Sequence, residues 1–279
     1  MSPTFQEEVG YLSIRRDLRV WDKPETVTIG LRSPNEAVRL QALSLLGVTD
    51  EESHEPLWSD KTPGTRIGQR VVTPDQVKLI YASLGDDATQ YAILAVLLRS
   101  KQLTLAAVAA PDYRGGWKRL ATLECWCKYE LYSGRDALST FVSLIPVSGS
   151  STPPEHYELV LHASGGGTGI YVRNEEHFRV RDGELRRVIA FVSRQRSCPP
   201  SVPQNCTLEA RDFVLPRDGT SDATVIERRG EYVRNKNDSE LSTDDFGFSH
   251  LAADEQCREY HWNDAKFTYQ PTGSMRPCG

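Results

Sequence analysis

Val38, Ala42, Leu45 and Leu46 recur at helical spacing behind Ser33-Pro34-Asn35-Glu36. Ser33 reads as the N-cap, Pro34 as the first helical residue, Glu36 as the partner in a capping box, and Gly47 as the stop. Residues 1–48 are therefore read as helical. Residues 49–70, with Asp50-Glu51-Glu52 and little periodicity, read as a connector. From Gln76 onward the period changes. Val77 to Ala82 predicts a first strand, and the continuous apolar runs Tyr91–Leu98 and Leu103–Ala109 predict strands buried on both faces. The second run, rich in Leu and Ala, is equally compatible with a helix. Tyr157, Leu159 and Leu161 alternate with Glu158, Val160 and His162, as a sheet strand should. Asp182-Gly183 between alternating flanks predicts a two-residue hairpin, with Arg187 to Ser193 as its return strand. Tyr260 to Tyr269 reads as a second hairpin, residues 135–142 are ambiguous, and the polar stretch 217–254 has no clear period.

The stretch Leu31 to Gly47 resembles the second helix of a HEAT repeat, as part of one unit over about residues 25–47. No second copy follows, and a solenoid needs about three stacked units. Leu84-Gly85-Asp86-Asp87 running to Leu94 resembles the opening of FG-GAP or VCBS-type propeller blades. In those families an acidic loop binds calcium, but the full ligand set is missing here, so calcium is not carried over. The C-terminal hairpin resembles ones common in secreted bacterial proteins. The expected fold class is α+β, mostly β. An N-terminal helical segment leads into an antiparallel β-meander or sandwich, or degenerate propeller-like sheets. The expected division is a helical segment and connector over 1–66, a main antiparallel β domain over 67–198 and a loop-rich β extension over 199–279.

Composition narrows the class without naming a function. The chain has 279 residues, a net charge of −5 and 25% charged residues, ordinary for a folded chain and unfavourable for bulk electrostatic binding to nucleic acid. No apolar window approaches the roughly 18 residues of a membrane span. Six cysteines are present. Cys198 and Cys206 bracket a short Pro-rich loop that a disulfide would staple, and Cys257 and Cys278 would tie down the tail. Cys125 and Cys127 read as buried thiols. Asn205-Cys206-Thr207 fits a glycosylation sequon. The first residues lack a basic and an apolar segment. The cysteines thus favour a secreted or periplasmic protein whose leader has been removed, with a cytoplasmic protein as the alternative.

Candidate chemistry centres on His162-Ala163-Ser164-Gly165-Gly166-Gly167-Thr168-Gly169. Glycine lets backbone N–H groups approach a ligand, so Ser164, Gly165, Gly166, Gly167 and Thr168 form a candidate binding loop. Phosphate-loop and dinucleotide patterns fail, because a strand-like Ile170-Tyr171-Val172 follows. The six histidines show no close metal-binding pair, and no metal or cofactor is expected. Arg179 and Arg181 alternate with Phe178 and Val180, which places both on one sheet face as a possible dock for an acidic partner. Trp117, Trp126 and Trp262 would pack a core or stack a sugar or peptide. The leading expectation is a non-enzymatic, exported bacterial binding or interaction module for a protein, peptide or glycan. One alternative is a hydrolase at the glycine loop, with Ser164 as nucleophile, His162 or His177 as base and Glu175 or Glu176 as carboxylate. The other is an accessory domain docking through its Arg-bearing face.

Overall fold

The computed structural model describes residues 5–9, 12–16, 19–85, 88–126, 137–147, 156–167, 170–197, 207–214, 224–234, 248–251 and 255–278. The fold is mostly β, with antiparallel sheets and three α-helices among the described residues. The chain divides into two compact units. One holds residues 1–129, 134–142 and 180–185, the other 130–133, 143–179 and 186–279.

The first unit contains β1 (Phe5–Val9), β2 (Leu12–Arg16), β3 (Val20–Trp21), α1 (Pro24–Leu31) and α2 (Glu36–Leu45). These are followed by β4 (His54–Trp58), β5 (Arg66–Val71), β6 (Gln76–Ala82), β7 (Tyr91–Leu98), β8 (Leu103–Pro111), β9 (Trp117–Cys125) and α3 (Ala137–Phe141). Its main sheet runs β1-β2-β9-β8-β7-β6, with β3 also on β9. The apolar run of β7 is buried along its whole length, and so is nearly all of β8. Side chains on one face of these strands, including Leu94, Val96, Leu105 and Ala107, form a core with Val27 and Leu31 of α1 and Ala42 and Leu43 of α2. The two helices approach closely at Gly30, where a Cβ would lie only 2.9 Å from that of Ala42.

Three local expectations change. Residues 1–48 are not helical throughout, because Leu12 and Ile14 alternate with polar residues and pair β2 onto β9. The helix cap is Asn35, whose side chain accepts from the N–H groups of Ala37 and Val38, while the Ser33 hydroxyl accepts from the Asn35 N–H. Glu36 is thus the first helical residue and closes no capping box. The expected connector contains a hairpin, β4 paired with β5.

A buried ionic cluster ties this sheet to the end of α2. Arg15 places Nε 2.6 Å from Glu124 Oε1 and Nη2 2.7 Å from Glu52 Oε1, and Nη1 donates to the Gly47 carbonyl at 2.9 Å. Arg119, fully buried, donates from Nη1 to the Leu45 carbonyl at 2.8 Å. Gly47 has φ +84°, and a Cβ there would stand 2.8 Å from the Arg119 Nη1. Burial pushes the Glu124 carboxyl up to about 7 against the pull of Arg15, and lowers Arg119 to about 10.

The second unit holds most of an antiparallel meander, residues 142 and 180–185 of which belong to the first: β10 (Val142–Pro146), β11 (Tyr157–Gly167), β12 (Ile170–Arg181), β13 (Glu184–Ser197), β14 (Thr207–Val214), β15 (Thr224–Arg234), β16 (Phe248–Leu251), β17 (Gln256–Asn263) and β18 (Thr268–Pro277). The sheet order follows the sequence from β10 to β15, then β17 and β18, with β16 also on β15. The Asp182-Gly183 hairpin forms as expected, with φ +54° and +73° at its two turn residues. The second hairpin also forms, as β17 and β18.

Cys257 and Cys278 are joined, with Cα atoms 4.9 Å apart, and pin the end of β18 to β17. Cys125 is also disulfide-bonded, which corrects its expected state as a thiol. Cys198, Cys206, Asn205, Thr168 and the acidic turn Asp86-Asp87 lie outside the described residues. The Cys257–Cys278 bridge closes a separation of 21 residues. A Cys257→Ser/Cys278→Ser double variant is expected to lose about 3 kcal/mol of stability on chain-entropy grounds. Urea denaturation of the variant beside the oxidised parent measures the loss. An unchanged midpoint would count against the bridge as a stabilising element.

Candidate functional site

Neighbours in an antiparallel ladder share a sheet face. Pairing of His162 with Glu175 and of Val160 with His177 sets Glu158 and His162 of β11 beside Glu175, His177 and Arg179 of β12 on one face. Tyr269 of β18 reaches the same face. Its hydroxyl donates to Glu158 Oε1 at 2.8 Å, although β18 stands six places from β11 in the sheet order. In a flat sheet those strands would be about 29 Å apart. The sheet therefore curls around this face, and Thr268 Oγ1, donating to the Val188 carbonyl at 2.6 Å, reflects the same closure.

The curl encloses a continuous polar chain. His177 Nδ1 lies 2.8 Å from Glu158 Oε2, and its Nε2 lies 3.0 Å from Glu175 Oε1. The other oxygen of Glu175 lies 3.2 Å from His162 Nδ1, and His162 Nε2 faces the Ser143 hydroxyl of β10 at 3.4 Å. Phe191 packs against His177 and Phe213, and Phe213 packs against Tyr260. A cavity of about 20 Å³ remains beside Glu158, His177, Ile189, Phe213 and Tyr269, space for about one water.

Protonation states follow from this arrangement. Burial opposes charge on His177, but hydrogen bonds from its ring to Glu158 and Glu175 carry it up to about 9. Both of its nitrogens then donate, and an imidazolium sits between two carboxylates. Burial alone would raise Glu175, yet its contacts with His162 and His177 hold it far below the usual carboxylate range. His162 moves down, because burial outweighs its contact with Glu175. It is therefore neutral near pH 7, with Nδ1 toward Glu175 and an Nε2 lone pair toward Ser143. Burial, reinforced by Glu158, pushes the Tyr269 phenol up, so it stays a donor.

The residues singled out from the sequence are only partly brought together. His162, His177 and Glu175 do meet. Ser164 does not present its hydroxyl as expected: it is buried and accepts a hydrogen bond from Tyr171 OH at 3.0 Å. The hydroxyl facing His162 belongs to Ser143. Glu176 takes Arg187 at 3.3 Å. Gly165, Gly166 and Gly167 are not a loop but the end of β11, paired with Val172, Tyr171 and Ile170. Their N–H groups run in a strand rather than a phosphate cradle. Arg179 and Arg181 do not form one exposed cationic face. Arg179 is 7% exposed and stacks over Trp262 at 4.7 Å, whereas Arg181 stands near Asp182 at the hairpin end.

Glu158, Ser143 and Tyr269 were not anticipated. Alternation places Glu158 opposite in face to Leu159, and both faces of β11 are buried there. The available signal was two acidic residues and a histidine at matching positions of consecutive strands. Among the described residues, no group of three or more His, Cys, Asp or Glu is arranged to hold a metal ion. No helix among them is long and apolar enough to cross a membrane.

No protein-family model matches the chain, and no curated protein or solved structure matches it. Function must therefore be argued from the residues alone.

Proposed function

We propose that this chain is an exported interaction module that binds an extended peptide along its β4–β5 hairpin. The observation carrying this reading is the hairpin itself. Its two strands pair only with each other among the described residues, so neither outer edge has a strand partner, although side chains of Arg66 and Arg39 take the carbonyls of Gly68 and Val71. Near its turn, Trp58 is 56% exposed and Ile67 is 65% exposed. Free edges beside an exposed aromatic and an aliphatic side chain suit strand addition, in which the backbone supplies affinity and apolar anchors supply selection. Arg70 is held by Glu55 at 2.6 Å and Arg66 by Gln69 at 3.0 Å, so the charges steady the hairpin and leave the apolar pair outward. Export is supported by the Cys257–Cys278 bridge and the bonded state of Cys125, which suit an oxidising compartment.

A peptide array and a glycan array, each probed with the intact protein, test the class of ligand. Peptide binding that Trp58→Ala weakens tenfold or more is the expected result. Unfolding free energy should change by no more than about 0.5 kcal/mol, since the ring is exposed. Glycan binding at Trp58, or peptide binding indifferent to Trp58→Ala, would overturn the hairpin reading.

A further inference from the structure

We propose that Ser143, His162 and Glu175 form an acyl-transfer centre that hydrolyses small esters bearing a carboxylate, with Arg173 holding that carboxylate. This goes beyond peptide binding at the hairpin and uses different residues.

The geometry has three linked parts. The Ser143 hydroxyl lies 3.4 Å from His162 Nε2, and His162 Nδ1 lies 3.2 Å from Glu175 Oε2. A hydroxyl and a carboxylate thus stand near opposite nitrogens of one imidazole, the order in which an alcohol is activated as a nucleophile. The orientation of the ring is enforced from behind, because Glu175 is itself held by His177 at 3.0 Å. Unlike His177, whose two nitrogens both face carboxylates, His162 keeps one nitrogen for a hydroxyl. Ser143, His162 and Glu175 are half-buried, and β10 stands at one end of the sheet order among the described residues.

Arg173 supplies the substrate class. It shares the face of Glu175, two residues along β12, and sits opposite Ser164 in the ladder, diagonal to His162. Its positive charge acts on His162, and its Nε is buried with no hydrogen-bond partner among the described residues. A buried guanidinium nitrogen without an acceptor is costly, and a carboxylate would satisfy it in a fork geometry.

In the first step, Ser143 Oγ bonds to the acyl carbon while its proton passes to His162 Nε2. The ester C–O bond then breaks, and the alcohol leaves with that proton. A water molecule, deprotonated by His162, attacks the acyl-serine. The acid departs and the proton returns to Ser143 Oγ. Glu175 is a positioning residue: it fixes the ring and stabilises the imidazolium that forms at each transfer.

The test uses the intact protein, a fluorophosphonate probe, and the paired substrates p-nitrophenyl acetate and the p-nitrophenyl hemiester of succinate. The expected result is one phosphonyl adduct, on the peptide containing Ser143. Ser143→Ala should abolish it, and His162→Ala should slow labelling by 100-fold or more. Ser164→Ala should label as the parent does. Arg173→Met should lower the preference for the succinate ester over the acetate about tenfold.

The pH profile separates positioning from mere folding. His162 faces Glu175, Arg173 and His177. Loss of the Glu175 charge in Glu175→Gln should move the activity midpoint to lower pH. If that variant fails to fold, Ser143→Cys provides the second measurement. Its alkylation by iodoacetamide should follow the titration of His162 and lose that dependence in Ser143→Cys/His162→Ala. No adduct at Ser143 in folded protein, together with alkylation of the cysteine variant at the rate of an ordinary thiol, would overturn the proposal.

Discussion

Replacing His177 by glutamine is expected to cost the second unit about 3–5 kcal/mol, the range for breaking a buried charge pair from one side. The ring is 4% exposed and holds Glu158 and Glu175 apart through its two nitrogens. Glutamine is neutral, so the buried Glu158 and the half-buried Glu175 would face each other with no cation between them. The pH dependence has a definite sign. His177 is raised in the folded state from 6.5 to about 9. Its contribution is therefore complete below about pH 6.5 and is lost as the pH rises through 9. Integrated over that window the linkage is worth about 3 kcal/mol. Urea denaturation at pH 6.5 and pH 9.5 measures both effects. The parent should weaken across the window, and His177→Gln should show a much flatter response. Adding Glu158→Gln to His177→Gln should restore part of the loss, because it removes one of the stranded charges. A variant as stable as the parent, or one that keeps the parent's alkaline decline, would mean that His177 is not the cation of this cluster.

In the first unit, Arg15→Met should be comparably damaging, again by about 3–5 kcal/mol. Arg15 contacts Glu124, Glu52 and the Gly47 carbonyl together, so one truncation strands two carboxylates and a carbonyl. Here the pH response runs through a carboxyl group. Glu124 is raised to about 7 by burial even with Arg15 present. The folded state thus takes up a proton that the unfolded state has lost, and Glu124 makes stability fall as the pH rises from about 4.5 to 7. Without Arg15 the carboxyl rises further, and the decline should continue above pH 7. Arg15→Met/Glu124→Gln should recover stability and flatten that extension. Thermal unfolding of both variants at pH 5, 7 and 8.5 provides the comparison. An Arg15→Met protein whose stability follows the parent's curve in shape and height would contradict this account.

The two clusters differ in how far they were legible. Nothing in the spacing of Arg15, Glu52 and Glu124 announces a contact, since they come from β2, the turn after α2 and β9. Their meeting depends on β2 pairing beside β9, a non-local choice. His162, Glu175 and His177 were visible as candidates because they lie near one hairpin, and cross-strand pairing did the rest. Ser143 and Tyr269 come from opposite edges of a nine-stranded sheet, so only its curl brings them to that face. The same curl explains why the charged Glu158 is buried. A period of two separates the faces of a strand, but it does not say which face the sheet will wrap around.

Local physics decides an element wherever a few neighbouring residues suffice. Asp182-Gly183 forms its turn because both residues tolerate positive φ. The apolar run of β7 is buried because no wet face could carry eight such side chains. The Leu- and Ala-rich run of β8 is a strand despite good helix formers, because β7 and β9 offer it a ladder on each side. The helix cap moved only from Ser33 to Asn35, two residues equally able to accept from a free N–H.

By itself, then, the sequence determined a mostly β chain, its two clearest hairpins, its buried central strands and the helix at Glu36–Leu45. Each depends on interactions among neighbours within one element or one turn. Only the tertiary structure decided which charged side chains are buried together, which serine faces His162, and that Arg179 is packed rather than displayed. Those outcomes depend on strand order and sheet curvature. Both are set by the burial of whole faces against one another, a property no short stretch of sequence contains.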